Sequence, residues 1–192
     1  RRSSSRSRRQ RTSSNWSWSQ RRRLTSVSLS TCFSRSSSRS DLGAGVKWTL
    51  FGEVEPNPSI GTVHKGLDAY TRQQCDGIVA IGGGSPIDAA KAIGILATNG
   101  GDIREYFGAD RIKKPLPPLI AIPTTCGTGS EVTQFTVITD TEKHFKMGIG
   151  SPHNIPKVAV VDPALLAKLP SKMVASTGMD ALCHSIESYT SQ

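Results

Sequence analysis

Ile78-Val79-Ala80-Ile81-Gly82-Gly83-Gly84-Ser85-Pro86-Ile87-Asp88 is the stretch on which the fold turns. Four consecutive apolar residues bounded by glycine read as a buried strand of a parallel sheet. The residues that follow open a helix. Proline at the first helical position gives up an N–H that would have had no intrahelical partner. The spacing predicts Ser85 as the N-cap and Asp88 as the other half of a capping box. Glycines let backbone N–H groups approach a phosphate closely, and the helix dipole favours an anion at this end. The run is not G-x-G-x-x-G, because Ile87 stands where the third glycine would be, and it lacks the Gly-Lys-Ser/Thr of a P-loop. By itself it leaves phosphate binding and an ordinary strand–helix turn both open.

Outward from this loop the pattern stays α/β. Upstream, Val46–Leu50 reads as a strand. Glu55-Pro56-Asn57-Pro58-Ser59 is turn chemistry, its two prolines barring helix, and Ile60–Gln74 carries helical periodicity. Downstream, Pro86–Ala97 is a helix stopped at Asn99-Gly100-Gly101, and Leu119-Ile120-Ala121-Ile122 is a second buried strand. Phe135–Thr139 and His144–Ile149 predict a hairpin, and Val158–Val161 a further strand. Two helices follow, Pro163–Leu169 and Ser171–Tyr189, the second broken near Gly178. Alternating strands and helices predict an α/β fold with a parallel sheet.

The second strand ends in Pro123-Thr124-Thr125-Cys126-Gly127-Thr128-Gly129-Ser130-Glu131. Hydroxyls and glycines gather where an open parallel sheet places its ligand, beyond the carboxyl ends of the strands. A capped polar loop is the plainer reading. Near the end, Asp180 and His184 stand four apart and share a helix face. A carboxylate with an imidazole suits Fe²⁺ or Zn²⁺. The same pair also serves as an ordinary exposed helix contact.

The formal charge of +9 raises the question of nucleic acid. Its distribution argues against that. Residues 1–40 hold 11 of the 24 Lys+Arg and none of the 15 Asp+Glu, so the rest of the chain is slightly acidic. This Arg/Ser head carries Trp16, Trp18, Leu24 and Phe33 without a sustained period, and its composition predicts disorder over 1–41. Three readings stay open for it: an RNA- or phosphate-binding arm, a mitochondrial transit peptide, or an extension with no role, including one translated in the wrong frame. The four cysteines lie more than 40 residues apart without Cys-x-x-Cys, which predicts reduced thiols in a cytoplasmic setting. No apolar run is long enough for a membrane helix.

Taken together, the motifs resemble the iron-containing (group III) alcohol dehydrogenases, on the lactaldehyde reductase and propanediol dehydrogenase branch. The carrying residues are the Gly-Gly-Gly-Ser-Pro-x-Asp loop, the Pro-Thr-Thr-x-Gly-Thr-Gly-Ser-Glu loop and Asn57 within Pro-Asn-Pro. To these add Ala159-Val160-x-Asp162, Pro170, Ala175-x-Thr177 and Asp180-Ala181-Leu182-x-x-x-x-Glu187. The resemblance covers about residues 44–192. It implies an incomplete Rossmann-like dinucleotide-binding domain at 42–169 and, at 170–192, the first helix of an all-α metal-binding domain. It implies a hydride transfer between a primary or secondary alcohol and NAD or NADP, with the metal polarising the substrate oxygen. Carried over by position, Asn57, Gly83, Gly84, Ser85 and Asp88 would hold the cofactor's pyrophosphate region. Thr124, Thr125, Thr128 and Thr133 would line the nucleotide cleft, Lys146 would reach a ribose, and Leu165 would touch the nucleotide. Asp180 and His184 would bind Fe²⁺ or Zn²⁺.

The departures set further expectations. The family opens with a strand–helix unit bearing an acid near the adenosine ribose; here the Arg/Ser head stands in that place, so NAD and NADP are not distinguished. The family takes two more histidine ligands from the helical domain, and His64, His144 and His153 are not at matching positions. Two ligands predict weak metal binding and little dehydrogenase activity for the 192 residues. A glycerol dehydrogenase or dehydroquinate synthase type on the same fold is the rival, and full-length relatives are expected to be homo-oligomers.

Overall fold

The apolar run Ile78–Ile81 lies inside β3 (Gly77–Gly82), the third strand of a five-stranded sheet. The computed structural model describes residues 29–34, 47–167 and 169–191. The remaining strands of this sheet are β1 (Leu29–Ser34), β2 (Lys47–Phe51), β5 (Leu119–Pro123) and β8 (Val158–Ala159), in the order β2-β1-β3-β5-β8. β3, β5 and β8 run parallel, as the α/β pattern requires. In register, Ile78 pairs with Leu119 and Gly82 with Pro123, so the glycine loop and the threonine loop leave adjacent strands at the same end. A second sheet, β4-β7-β6, is built from β4 (Gly108–Ala109), β6 (Phe135–Asp140) and β7 (Phe145–Gly150).

Among the described residues three α-helices accompany the sheets: α1 (Ile60–Arg72), α2 (Gly84–Asn99) and α3 (Ser171–Thr190). α2 is alanine-rich and apolar over most of its circumference, and such a helix is stable only when surrounded. It packs on β3 and β5 of one sheet and on β6 of the other, burying Pro86, Ile87 and every residue from Ala89 to Leu96. This helix carries the core and also begins at the glycine loop. Packing and ligand chemistry therefore share one element. α3 buries none of its residues. Among the described residues no helix is long and apolar enough to cross a membrane.

Several expectations need correction. The composition predicted disorder over residues 1–41, yet Leu29–Ser34 forms a strand, antiparallel to both β2 and β3. Leu29, Thr31 and Phe33 alternate with Ser30, Cys32 and Ser34, and that local period of two was masked by the serine-rich average. The rest of the head, including Trp16 and Trp18, lies outside the described residues. The helix expected at Pro163–Leu169 is a single 3-10 turn at Pro163–Leu165, capped by Asp162. α3 runs unbroken through Gly178, since one glycine weakens a helix without ending it. Cys75 is disulfide-bonded, so the expectation of reduced thiols fails there, because spacing along the chain does not show which cysteines the fold brings together. Cys126 and Cys183 are free.

Candidate functional site

The glycine helix starts earlier than its proline suggests. α2 begins at Gly84 with Gly83 as N-cap, and no side chain caps it. The predicted capping box is therefore absent. Ser85 and Asp88 are engaged elsewhere, and no side chain caps the first N–H groups of α2.

Ser85 Oγ accepts the N–H of Asn57 at 3.2 Å. Asn57 sits in the left-handed region (φ 56), which asparagine tolerates better than most residues, and its Oδ1 accepts from Lys146 Nζ at 2.8 Å. Three predicted cofactor residues from a turn, a helix and a hairpin thus meet. Glu55 shapes the turn: its carboxylate accepts from Ser59 N at 2.9 Å and from Thr62 Oγ1 at 2.6 Å. Partial burial pushes the Glu55 carboxyl up, but the hydrogen bonds from Thr62 and Ser59 outweigh it and hold the pKa at about 2. From the other side, Thr139 N donates to Pro58 O at 2.8 Å and ties β6 to the same turn.

The threonine loop lies against the glycine loop. A Cβ on Gly83 would stand 3.2 Å from Thr125 Oγ1 and Cγ2, and one on Gly84 would stand 3.0 Å from Thr128 Cγ2. Thr124 N donates to Gly82 O at 2.8 Å. Thr125 Oγ1 is buried without a hydrogen-bond partner. A glycine cradle, uncapped helical N–H groups and an orphaned hydroxyl together fit the oxygen-rich pyrophosphate of a nucleotide.

Asp88 braces the wall of this space. Ser130 Oγ donates to its Oδ1 at 2.5 Å, Val137 N donates to its Oδ2 at 3.0 Å, and Thr136 Oγ1 donates to its carbonyl at 2.8 Å. Burial pushes the Asp88 carboxyl up, against the lowering effect of these donors and of Lys91. One turn on, Lys91 is wholly buried, and its pKa falls to about 8 because burial disfavours the ammonium more than Asp88 and Glu131 favour it.

A cleft of about 640 Å³ is lined by Gly84, Ser85, Asp88, Thr128, Gly129, Ser130, Thr133, Phe135, Val137, Asp180 and His184. The Asp/His pair and the glycine loop, a hundred residues apart in sequence, share one space. His184 Nε2 lies 3.9 Å from Asp180 Oδ1, and both side chains are half-exposed. The pair fits two positions of a divalent-metal coordination sphere. Among the described residues no group of three or more His, Cys, Asp or Glu could hold a metal ion. α3 is seated by a close backbone approach: a Cβ on Gly127 (φ 141) would overlap the Thr177 carbonyl.

Not every predicted residue lines the cleft. Asn57 stands beside it, joined to Ser85, and Lys146 is joined to Asn57. Thr125 borders Gly83, Thr124 is tied to Gly82, and Leu165, 41% exposed, is in the 3-10 turn beyond β8. Sequence reasoning missed Phe135 and Val137 as lining residues and Lys91 as a brace. The available signal for Lys91 was its place as the only charged residue within the alanine-rich part of α2 after Asp88.

The α/β layer, the glycine loop and the uncapped helix start together have the form of a partial Rossmann-like domain, with an acid–imidazole pair lining the same cleft. The chain matches the iron-containing alcohol dehydrogenase family model over residues 27–163. It is 50% identical to the choline dehydrogenase of Bacillus subtilis (strain 168), over 77% of this chain and 37% of that protein. It is 48% identical to the 1,3-propanediol dehydrogenase of Klebsiella pneumoniae, over 78% of this chain and 38% of that protein. Among solved structures, the sulfoacetaldehyde reductase of Bifidobacterium kashiwanohense in complex with NAD+ matches with a TM-score of 0.66 at 39% identity, over 71% of this chain and 37% of that one. The chain belongs to the iron-containing alcohol dehydrogenase family, and it spans less than half the length of these relatives.

Proposed function

We propose that this chain supplies the cofactor cleft and half the metal site of a metal-dependent alcohol dehydrogenase acting between a primary or secondary alcohol and its aldehyde or ketone. The observation that carries the reading is the shared cleft: Gly84, Ser85 and Thr128 line it together with Asp180 and His184. On this reading residues 42–169, with the strand Leu29–Ser34 completing their sheet, form the dinucleotide unit, and 170–192 belong with a helical metal-binding domain.

In this role Gly83, Gly84 and Ser85 present backbone N–H groups to the pyrophosphate. Thr124, Thr125, Thr128 and Thr133 offer hydroxyls along the cleft, and Thr125 Oγ1 gains the partner it otherwise lacks. Asn57 and Lys146 serve the neighbouring ribose and phosphate, and Leu165 gives an apolar contact farther along. Asp88 keeps the wall in place. Asp180 and His184 would hold Fe²⁺ or Zn²⁺, which when bound supplies a Lewis acid for the substrate oxygen. NAD is the cofactor favoured, because the sulfoacetaldehyde reductase relative was solved with NAD+. The named substrates of the relatives differ, and the substrate assigned here is the alcohol class alone.

The test is equilibrium dialysis of the full chain against NAD+ and NADP+, with and without Zn²⁺ or Fe²⁺. NAD+ should bind more tightly than NADP+, and His184→Ala should weaken metal uptake while leaving NAD+ binding in metal-free buffer intact. Binding of neither nucleotide would sink the proposal.

A further inference from the structure

Lys91 is a cation in the wrong place for a helix packed between two sheets. Its side chain is fully buried. Taking an ammonium out of water is costly unless hydrogen bonds replace the lost hydration. Lys91 Nζ finds two, donating to Thr133 O at 2.8 Å and to Phe135 O at 2.7 Å. These carbonyls flank Gln134, whose own carbonyl accepts from Ser151 N at 3.2 Å and from Asn154 Nδ2 at 3.2 Å. The Gln134 carbonyl is thus met by the continuation of the β6–β7 ladder and by Asn154, and the carbonyls on either side of it by Lys91.

The same stretch is held one helical turn earlier by Asp88, through Ser130 Oγ and Val137 N. Ser130, Thr133, Phe135 and Val137 all line the cleft that Asp180 and His184 share. Lys91 itself does not line it.

We propose that Lys91 is a positioning residue: through its two bonds to Thr133 and Phe135 it fixes the Ser130–Val137 wall at the spacing from the glycine helix that the cofactor requires. It acts through that wall and not by touching cofactor or substrate. Asp88 and Lys91, at i and i+3 on α2, form a clamp of one acceptor and one donor. The acid secures the N–H and hydroxyl side of the wall, and the lysine secures its carbonyl side. Both are planted on the helix whose first turn faces the phosphate, so the two sides of the cleft share one rigid support.

The inference rests on the cleft being a cofactor site, but its first readout needs no cofactor. Hydrogen–deuterium exchange would be followed by mass spectrometry on the full chain, on Lys91→Met and on Lys91→Arg, without nucleotide. Lys91→Met should speed exchange across Ser130–Val137 at least tenfold while β3 and β5 stay as protected as in the wild type. Lys91→Arg keeps donors for both carbonyls and should recover most of the protection. Unchanged exchange in Ser130–Val137, an equal rise throughout β3 and β5, or no recovery with arginine would each overturn the proposal. NAD+ titration of the same preparations separates the two ideas. An at least tenfold weaker affinity in Lys91→Met is expected. Undiminished affinity despite a loosened wall overturns the functional role. If the wild type binds no NAD+ while exchange responds as described, the tether stands and it is the cofactor reading that fails.

Discussion

Lys146 Nζ donates to Asn57 Oδ1 at 2.8 Å, joining the β6–β7 hairpin to a turn 89 residues earlier in the chain. Asn57 also gives its backbone N–H to Ser85 Oγ, so one residue couples the hairpin to the start of the glycine helix. Removing the lysine takes away a charge-assisted bond at an exposed site, worth about 1 kcal/mol. Lys146→Met should therefore weaken NAD+ binding by about fivefold, the factor that corresponds to that energy. Asn57→Ala should cost more, because alanine also resists the left-handed backbone. Calorimetric titration with NAD+ checks both, and an Asn57→Ala effect smaller than that of Lys146→Met would contradict this account of the turn.

The packing of Gly84 on Thr128 gives a sharper test. A Cβ on Gly84 would meet Thr128 Cγ2 at 3.0 Å, so Gly84→Ala must push the threonine loop away from the helix start. Overpacking of this kind costs about 1–3 kcal/mol. Nucleotide affinity should fall with it, since the cradle is made by that contact. Thr128→Ser removes the methyl that the new Cβ would strike. The double variant should recover stability beyond the sum of the single effects, as expected for residues in contact. Urea melts of the four proteins measure this, and simple additivity would show that the contact is not the cause.

The sequence was most legible where a period or a turn residue stood alone. Ile78–Ile81, Leu119–Ile122 and the Phe135–Ile149 hairpin fall where their patterns place them, within about a residue. The shared cleft was half legible. Each loop announced hydroxyls or glycines, and the register of β3 with β5 put them side by side. What stayed hidden depended on long-range hydrogen bonds. Asp88 at three residues past Ser85 has capping-box spacing, but the donors offered by Ser130 and Val137 compete for the same carboxylate and win. Lys91 gave no periodic signal, because its partners are main-chain carbonyls more than 40 residues away. β1 was hidden by averaging over serine and arginine neighbours.

Arg104 ties its own 3-10 turn, Ile103–Tyr106, to the hairpin and makes an acid-sensitive joint. Its Nε donates to Asp140 Oδ2 at 2.8 Å, with further bonds to Asp102 and Glu142. Asp140 is 1% exposed and also accepts the N–H groups of Glu142 and Lys143. The Arg104 hydrogen bond, against some desolvation, holds the Asp140 carboxyl below its ordinary value of 3.8. A depressed folded-state pKa means that Asp140 adds stability above the unfolded value and loses it as pH falls through the folded one. Melting temperature should therefore drop between about pH 4 and the lowered pKa of Asp140. In Arg104→Met that drop should shift to higher pH, with a lower melting temperature at neutral pH. Parallel acid profiles for the two proteins would rule out the joint.

The strand Leu29–Ser34 changes what a deletion of the basic head means. β1 separates β2 from β3 and pairs with both, Thr31 standing opposite Leu50 on one side and Val79 on the other. A chain starting at Asp41 loses β1 entirely. β3 then becomes an edge strand with an unpaired row of N–H and C=O groups, and β2 has no neighbour left in its sheet. That chain should melt at a much lower temperature and aggregate as it does so. A chain starting at Ser26 keeps β1 and should unfold as the full chain does, while losing nine of the eleven arginines of the head. Comparing circular dichroism melts of the two truncations separates the head's charge from its strand. An unchanged melt for the chain starting at Asp41 would mean that β1 contributes nothing to the sheet, whereas the expected contrast makes six residues of a basic, serine-rich stretch part of the fold that supports the glycine loop.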